Sequence, residues 1–251
     1  MSLDFLCASD TSLEARKSAV LLRSLSVNVL IEGSMGSGKR TLARFISTQA
    51  PILEGSKLSD IEDAATSSDT IIVRHFDKVS NYDKLQKILN DHGTRLIATA
   101  NSQLSTELFD RFFSIKIFLE PFSRRKEDVS LLIEHFVKEA EEIFSTPEND
   151  LVLSADDADI SKNVYSLRRW VYLNFLYSSM SKGEIMQVTE QYLYSHMGGN
   201  NDYRDFLHMF EIPLINAGLK KFKSQLQLSE RLGLNRNTLR KKIAEAKEYE
   251  Q

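Results

Sequence analysis

The stretch that most constrains this chain is residues 27–46, VNVLIEGSMGSGKRTLARFI. Its opening, from Val27 to Ile31, is rich in β-branched side chains and reads as a buried strand. Gly33-Ser-Met-Gly36-Ser37-Gly38-Lys39 then turns the chain, and a helix starts at Arg40. Strand, G-x-x-x-x-G-K and helix, in that order, are the parts of a phosphate-binding loop. Glycines let backbone N–H groups converge on an anion, and the helix N-terminus adds partial positive charge. Lys39 is placed to reach the outer phosphates. The next position ordinarily carries a Ser or Thr that ligates Mg²⁺. Here it is Arg40, with Thr41 one place later. The plain alternative is a glycine-rich turn that holds no ligand.

The neighbouring segments fit a sheet around that loop. A helix capped by Asp10 or Thr11 runs to about residue 24, with Leu13, Val20 and Leu21 as its apolar face. Pro51 breaks the chain, and the polar stretch 56–69 holds one short helix over 58–65. Residues 70–75, TIIVRH, read as a second buried strand, 95–101 as a third and 115–119 as a fourth. Helices over 82–90 and 104–113 alternate with them, which indicates an open parallel α/β sheet. Beside a phosphate-binding loop the second strand should end in Asp-Glu, the acids that hold the metal and orient water. Arg74 and His75 stand there instead. A cation does not ligate Mg²⁺, although an Arg near phosphates replaces part of the metal's charge. Two readings stay open: a nucleotide site without metal or turnover, or two residues that cap a strand in a domain binding nothing. Asp77, three residues past Arg74, reads as pointing elsewhere.

Beyond Pro121 the strands stop. Residues 125–143 form an amphipathic helix with Val129, Leu132, Ile133, Phe136 and Val137 on one face. A second helix, 163–179, carries Tyr165, Trp170, Tyr172, Phe175 and Tyr177, an aromatic stripe expected in a core. A third spans 184–194. Gly198-Gly-Asn-Asn-Asp202 is the best linker in the chain. The expected organisation is an α/β body over 1–121, a helical subdomain over 122–197, a linker over 198–205 and a small all-α domain over 206–251.

Composition limits what these parts can do. With 251 residues, 42% hydrophobic and 27% charged, the chain can bury a sizeable core. No apolar run approaches the roughly 20 residues of a membrane span, and the start lacks the basic and apolar regions of a signal peptide. Cys7 is alone, which excludes an intramolecular disulfide and a cysteine metal cluster. A cytoplasmic protein with no membrane partner is expected. The net charge of −3 hides a basic tail, in which Lys220, Lys221, Lys223, Arg231, Arg236, Arg240, Lys241, Lys242 and Lys247 crowd together.

In that tail, an apolar stretch over 206–222 contains Pro213, so its helix is expected to start or kink there. Helices over 225–232 and 236–247 flank the turn Gly233-Leu234-Asn235. Two short helices around a Gly-containing turn, the second dense in Arg and Lys, form a helix-turn-helix. Leu226, Leu228, Leu232, Leu234, Leu239 and Ile243 would pack it, leaving Arg236, Asn237, Arg240 and Lys241 outward. Arg suits guanine in the major groove and Asn suits adenine, while Thr238, Arg240 and the lysines suit phosphates. The plain alternative is a solvated basic helix.

Residues 228–242, LSERLGLNRNTLRKK, resemble the DNA-binding helices of the Fis family, whose run Gly-(Ile/Leu)-Asn-Arg-x-Thr-Leu-Arg-Lys-Lys is matched from Gly233 to Lys242. The same module closes the bacterial enhancer-binding proteins, the AAA+ activators of sigma-54 RNA polymerase, and the rest of the chain resembles them too. GSMGSGKRTLAR is similar to their Walker A stretch. Asn101 falls on their sensor asparagine and Arg111, in Leu108-Phe-Asp-Arg111, on an arginine finger. Residues 121–136 resemble their lid entry, and 163–167 their second sensor motif. The resemblance implies an AAA+ fold with a helical lid and a dimerising helix-turn-helix, with no receiver or sensory domain in front. It implies ATP or ADP at Gly33, Gly36, Ser37, Gly38, Lys39, Arg40, Thr41, Asn101 and Arg111. Double-stranded DNA is implied at Asn235, Arg236, Asn237, Thr238, Arg240, Lys241 and Lys242.

The departures from that family carry as much meaning. The Walker B acids are replaced by Arg74 and His75, and the second-sensor arginine by Tyr165. Ser105 lies near the place of the other finger. Residues 47–69 are too few to hold the GAFTGA loop that grips the sigma factor, and a second loop is trimmed at 91–94. The expectation is a nucleoid-associated, sequence-specific transcriptional regulator that does not hydrolyse ATP, holds no metal and forms a homodimer through its C-terminal helices. RNA polymerase or another AAA+ regulator would be its protein partner. The alternative is an ATP-hydrolysing sigma-54-dependent activator, or a modulatory subunit of one.

Overall fold

Strand β1 (Val29–Gly33) is buried at every position, and it lies inside a parallel sheet. In this computed structural model, which describes residues 4–144 and 151–249, β1 pairs with β4 (Arg95–Ala100) and β5 (Ile115–Leu119). Strand β4 pairs with β3 (Thr70–Arg74), and β3 with β2 (Ile52–Glu54), giving the order β2-β3-β4-β1-β5. Helices α2 (Lys39–Ile46), α3 (Leu58–Ala65), α4 (Tyr82–His92) and α5 (Thr106–Phe112) make the crossovers. Side chains alternate between the faces. Val29, Ile31, Ile72, Ile97 and Ile117 pack beside α1 (Asp10–Leu22) and α2. Leu30, Ile71, Val73, Leu96 and Ala98 face Ile61, Leu85, Leu89 and Phe112 of α3, α4 and α5. The parallel α/β sheet is the one the sequence predicts.

Three local expectations need correction. The sheet among the described residues has five strands. Strand β2 is three residues long, too short to show alternation, and it follows Pro51, which reads as a breaker. Helix α1 is capped by Ser9, whose Oγ accepts from Ser12 N at 3.4 Å. Its inner face is Ser12, Ala15, Ala19 and Leu22, whereas Leu13, Val20 and Leu21 point to solvent; Ala19 is 0% exposed and Leu21 67%. Small residues win the inner face because α1 lies close against α2 and β5.

Helices α6 (Lys126–Phe144) and α7 (Val164–Ser179) pack through Val129, Ile133, Phe136, Leu167 and Val171. Of the aromatic stripe on α7, Phe175 is fully buried and Trp170 and Tyr172 are partly so. Tyr165 and Tyr177 are exposed, which corrects their reading as core.

Residues Met1–Ser179 form one compact unit and Met180–Gln251 another. The second holds α8 (Lys182–His196), α9 (Asp202–Phe222), α10 (Gln225–Leu232) and α11 (Arg236–Tyr249). Helix α8 opens with a capping box, Ser181 Oγ accepting from Glu184 N and the Glu184 carboxylate from Ser181 N. Helix α9 starts at Asp202 and continues through Pro213, where the sequence predicts a start or a kink. Pro213 lies on the solvent face, so water can satisfy the carbonyl its ring leaves unpaired. The core of this unit is Ile215, Leu228 and Leu239, with Leu219, Phe222, Leu232, Leu234 and Ile243 around it; Leu226, expected to pack, is exposed. The ends of the expected first and last domains, 1–3 and 250–251, and residues 145–150 of the lid lie outside the described residues.

Candidate phosphate cleft and nucleic-acid interface

The loop between β1 and α2 has the backbone a phosphate cradle needs. Gly33, Gly36 and Gly38 have φ of 153°, 78° and 100°, values that L side chains avoid. At Gly36 space forbids a side chain as well: a Cβ would stand 2.8 Å from Lys162 O and 3.0 Å from the Tyr165 ring. Lys39 is buried, and its Nζ donates to Gly33 O and Ser34 O, both at 2.7 Å. Burial lowers its pKa from 10.5 to about 8, opposed by the charge of Asp77. The Ser37 hydroxyl is buried and has no hydrogen-bond partner among the described residues. Arg40 and Thr41 are exposed on the first turn of α2.

The lid segment holds this loop in place. Asn163, left-handed at φ 50°, donates from Nδ2 to Ser34 Oγ at 3.0 Å and to Met35 O at 2.8 Å. Its Oδ1 accepts from Phe122 N at 2.8 Å. Arg125 Nη2 donates to Ser37 O at 2.8 Å, and its Nη1 pairs with Asp128 at 3.0 Å, both side chains being buried. Asp128 Oδ1 in turn accepts from Ala8 N, Ser9 N and Ser12 Oγ. Charged groups this dry persist only when paired and hydrogen-bonded. One buried network therefore ties the N-terminal segment, the lid and the end of the phosphate loop.

Beside the loop is a cavity of about 370 Å³, lined by Glu32, Gly33, Ser34, Asn101, Ser102 and Lys116 among others. Asn101 thus stands next to the glycine loop. Arg111 does not; its guanidinium donates to Gln86 at 2.8 Å and to Asp83 at 2.5 Å on α4. Arg74 and His75 are also turned aside. Arg74 Nη1 lies 3.0 Å from Glu54 Oε1, and His75 Nδ1 lies 2.8 Å from Glu54 Oε2, at the end of β2. The His75 hydrogen bond first, and then the Arg74 charge, pull the Glu54 carboxyl below its usual range. Asp77, expected to point elsewhere, is instead close enough to Lys39 to act on its charge, and its Oδ2 accepts from Ser102 Oγ at 3.3 Å. The turn at His75, φ 50°, redirects the chain and makes the difference.

Glu32 is a residue that motif reasoning missed. It is buried, accepts from Leu104 N at 3.0 Å and faces Lys116 Nζ at 3.6 Å. A lone acid in an otherwise apolar strand, directly before Gly33, was the available signal. Asn163 could not be found that way, because its role depends on a contact across the fold.

In the second unit, Ser224 caps α10 and Gly233, at φ 64°, ends it. Asn235 Oδ1 accepts from Thr238 N at 2.8 Å, so this side chain starts α11 as its cap. Arg236, Asn237, Arg240 and Lys241 are exposed, while Leu239 and Ala246 are buried on the opposite side of α11. Lys242 is half-buried and paired with Glu211 of α9. Five of the seven expected DNA contacts are therefore exposed, Asn235 among them although it also caps α11, while Thr238 and Lys242 are half-buried and Lys242 also serves the fold.

Among the described residues no helix is long and apolar enough to cross a membrane. Residues 206–245 match the family model described as bacterial regulatory protein, Fis family. A search of curated proteins gives no match. Among solved structures the chain is similar to NtrX from Brucella abortus in complex with ADP, with TM-score 0.62 and 16% identity over 98% of this chain and 69% of that one. It is similar to the same protein in complex with ATP, with TM-score 0.58 and 16% identity over 97% and 69%.

Proposed function

We propose that this chain, an AAA+-fold body joined to a Fis-type helix-turn-helix, is a sequence-specific DNA-binding transcription regulator whose body holds a nucleotide without hydrolysing it. The carrying observation is the outer face of α11, where Arg236, Asn237, Arg240 and Lys241 project together from a helix anchored by Leu239. Arg236 and Asn237 sit in its first turn, the part of a recognition helix that meets base edges.

ADP or ATP is the ligand the cleft suits. The similar NtrX structures hold each of them, and here the left-handed glycines, Lys39 and the unpartnered Ser37 hydroxyl make an anion cradle. Absence of turnover is supported by Arg74 and His75, which stand where a metal-holding acid and a water-orienting acid are needed and are spent on Glu54. Tyr165, in place of the second-sensor arginine, lies against Gly36. The interval between α2 and β3 is taken up by β2 and α3, which supports the reading of a body without a sigma-gripping loop. Dimerisation through the C-terminal helices, and contact with RNA polymerase or another AAA+ regulator, complete the reading.

The test begins with selection of bound duplexes from a random pool by the purified chain. Arg236→Ala should narrow the gap between selected and random DNA by about 1–3 kcal/mol. Lys241→Ala should weaken both and lower the salt slope by about one. Equal loss on both sequences for Arg236→Ala would contradict base reading. Steady phosphate release from ATP with Mg²⁺ would contradict the inactive body.

A further inference from the structure

The end of β3 carries Arg74 and His75 rather than acids, yet a carboxylate two residues on, Asp77, is bonded to Ser102 of the cavity wall. We infer that Asp77 replaces the missing strand-end acid, so that the cleft takes a nucleoside phosphate together with a divalent cation. This rests on the nucleotide-binding part of the function proposed above.

Glu54 draws the Arg74 and His75 side chains toward the β2 edge. His75 then reverses the backbone, and the 3-10 turn Phe76–Lys78 carries Asp77 back toward the sheet. Phe76 pins that turn; it is fully buried, with its ring centroid 5.3 Å from Tyr82, 5.3 Å from Phe112 and 5.0 Å from Phe113. Asp77 Oδ2 accepts from Ser102 Oγ at 3.3 Å, and Ser102 lines the cavity with Gly33, Ser34 and Asn101. Its other oxygen, Oδ1, is buried and has no hydrogen-bond partner among the described residues. A buried carboxylate oxygen without a donor is costly, and a cation is a partner that removes the cost. Independently, the Asp77 charge acts on Lys39.

Mg²⁺ needs little more from the protein, because it is ordinarily held by one or two carboxylates plus phosphate oxygens and water. No cluster of three His, Cys, Asp or Glu occurs among the described residues, and this mode requires none. The cation would be held without a second acid free to orient water. Glu54 is paired with Arg74 and His75, and Glu32 with Leu104 N and Lys116. Cation binding and absence of turnover are thus compatible.

Fluorescence titration of the full chain with a labelled ATP, with Mg²⁺ or with a chelator, tests this. Coupling between two bound ligands is commonly about 5- to 150-fold, so Mg²⁺ should tighten ATP binding by at least about fivefold in the wild type. Asp77→Asn should bind metal-free ATP as well as the wild type or better and gain less than about twofold from Mg²⁺. A second measurement needs no variant: Fe²⁺ with ascorbate in place of Mg²⁺, in the presence of ADP, should cut the wild-type backbone beside Asp77 and the phosphate loop. An undiminished Mg²⁺ effect in Asp77→Asn, no Mg²⁺ effect in the wild type, or no cut near Asp77 overturns the assignment and leaves nucleotide binding standing. Failure of the wild type to bind ATP under both conditions overturns both.

Discussion

Lys39 occupies an unusual position for an ammonium group. It is 7% exposed, and its two close partners are neutral carbonyls of its own loop. Its pKa falls from 10.5 to about 8 because burial penalises the charged form more than Asp77 supports it. Between those values the unfolded chain binds the proton and the folded chain does not, so stability rises with pH across that window. The penalty is fully present below about pH 8 and is relieved toward pH 10.5. One pKa unit is about 1.4 kcal/mol, and water reaching the cleft reduces the effect to an order of 1–2 kcal/mol. Urea unfolding of the wild type and Lys39→Met at pH 7.5 and about pH 10 should show the wild type gaining relative to the variant. Equal changes in the two proteins would rule out a perturbed lysine. The same residue marks what was legible in the chain. Its place at the head of α2 follows from G-x-x-x-x-G-K, and so do the left-handed glycines. The acid whose charge acts on it was not readable, because Asp77 reaches Ser102 at the cavity wall only after the His75 turn, and no local pattern announces that turn.

At the scale of elements, the joints are held by polar groups that periodicity does not reveal. Asp128, on the first turn of α6, accepts from Ala8 N, Ser9 N and Ser12 Oγ and pairs with Arg125. Asp128→Ala strands a buried guanidinium, so the expected loss is about 3–5 kcal/mol in urea unfolding. Arg125→Met combined with Asp128→Leu should recover much of it, since apolar replacement of a whole buried pair is often tolerated. A loss within 0.5 kcal/mol, about the size of an ordinary surface change, would make the network incidental. In the second unit the joint is steric. A Cβ on Gly218 would stand 2.3 Å from Leu228 Cδ1, and Leu228 is fully buried. Gly218→Val should cost about 1–3 kcal/mol by overpacking and abolish DNA binding, read by duplex titration. Element type was legible wherever the apolar pattern was strong, as in β3, β4 and α6. It failed where the inner face is small or short. Helix α1 buries Ala15 and Ala19 rather than its larger residues, and β2 has only Ile52, Leu53 and Glu54 with which to declare itself.

For the molecule as a whole, the second unit poses a problem of surface. Its core is three fully buried side chains and a partly buried fringe, little for a unit of this size. None of the residues of α8 is buried. Ile185, Met186, Val188, Tyr192, Tyr194 and Met197, with Tyr203, Phe210 and Leu214 on or before α9, all reach solvent. Apolar surface of that extent marks an association face. A second copy is the occupant we favour, because a helix-turn-helix reads paired half-sites as a two-fold dimer. With a second copy on that face, folding of this unit is linked to concentration, and its thermal midpoint should rise as protein concentration rises. Sedimentation of the full chain should give a dimer. Met186→Lys with Phe210→Asp should give a monomer, because two charges would be desolvated in the interface. Neither position lies on α11, so the variant keeps its contacts to a half-site and loses affinity only where two half-sites are joined. A variant that stayed dimeric, or that lost single and paired half-sites alike, would place the dimer contact on another surface.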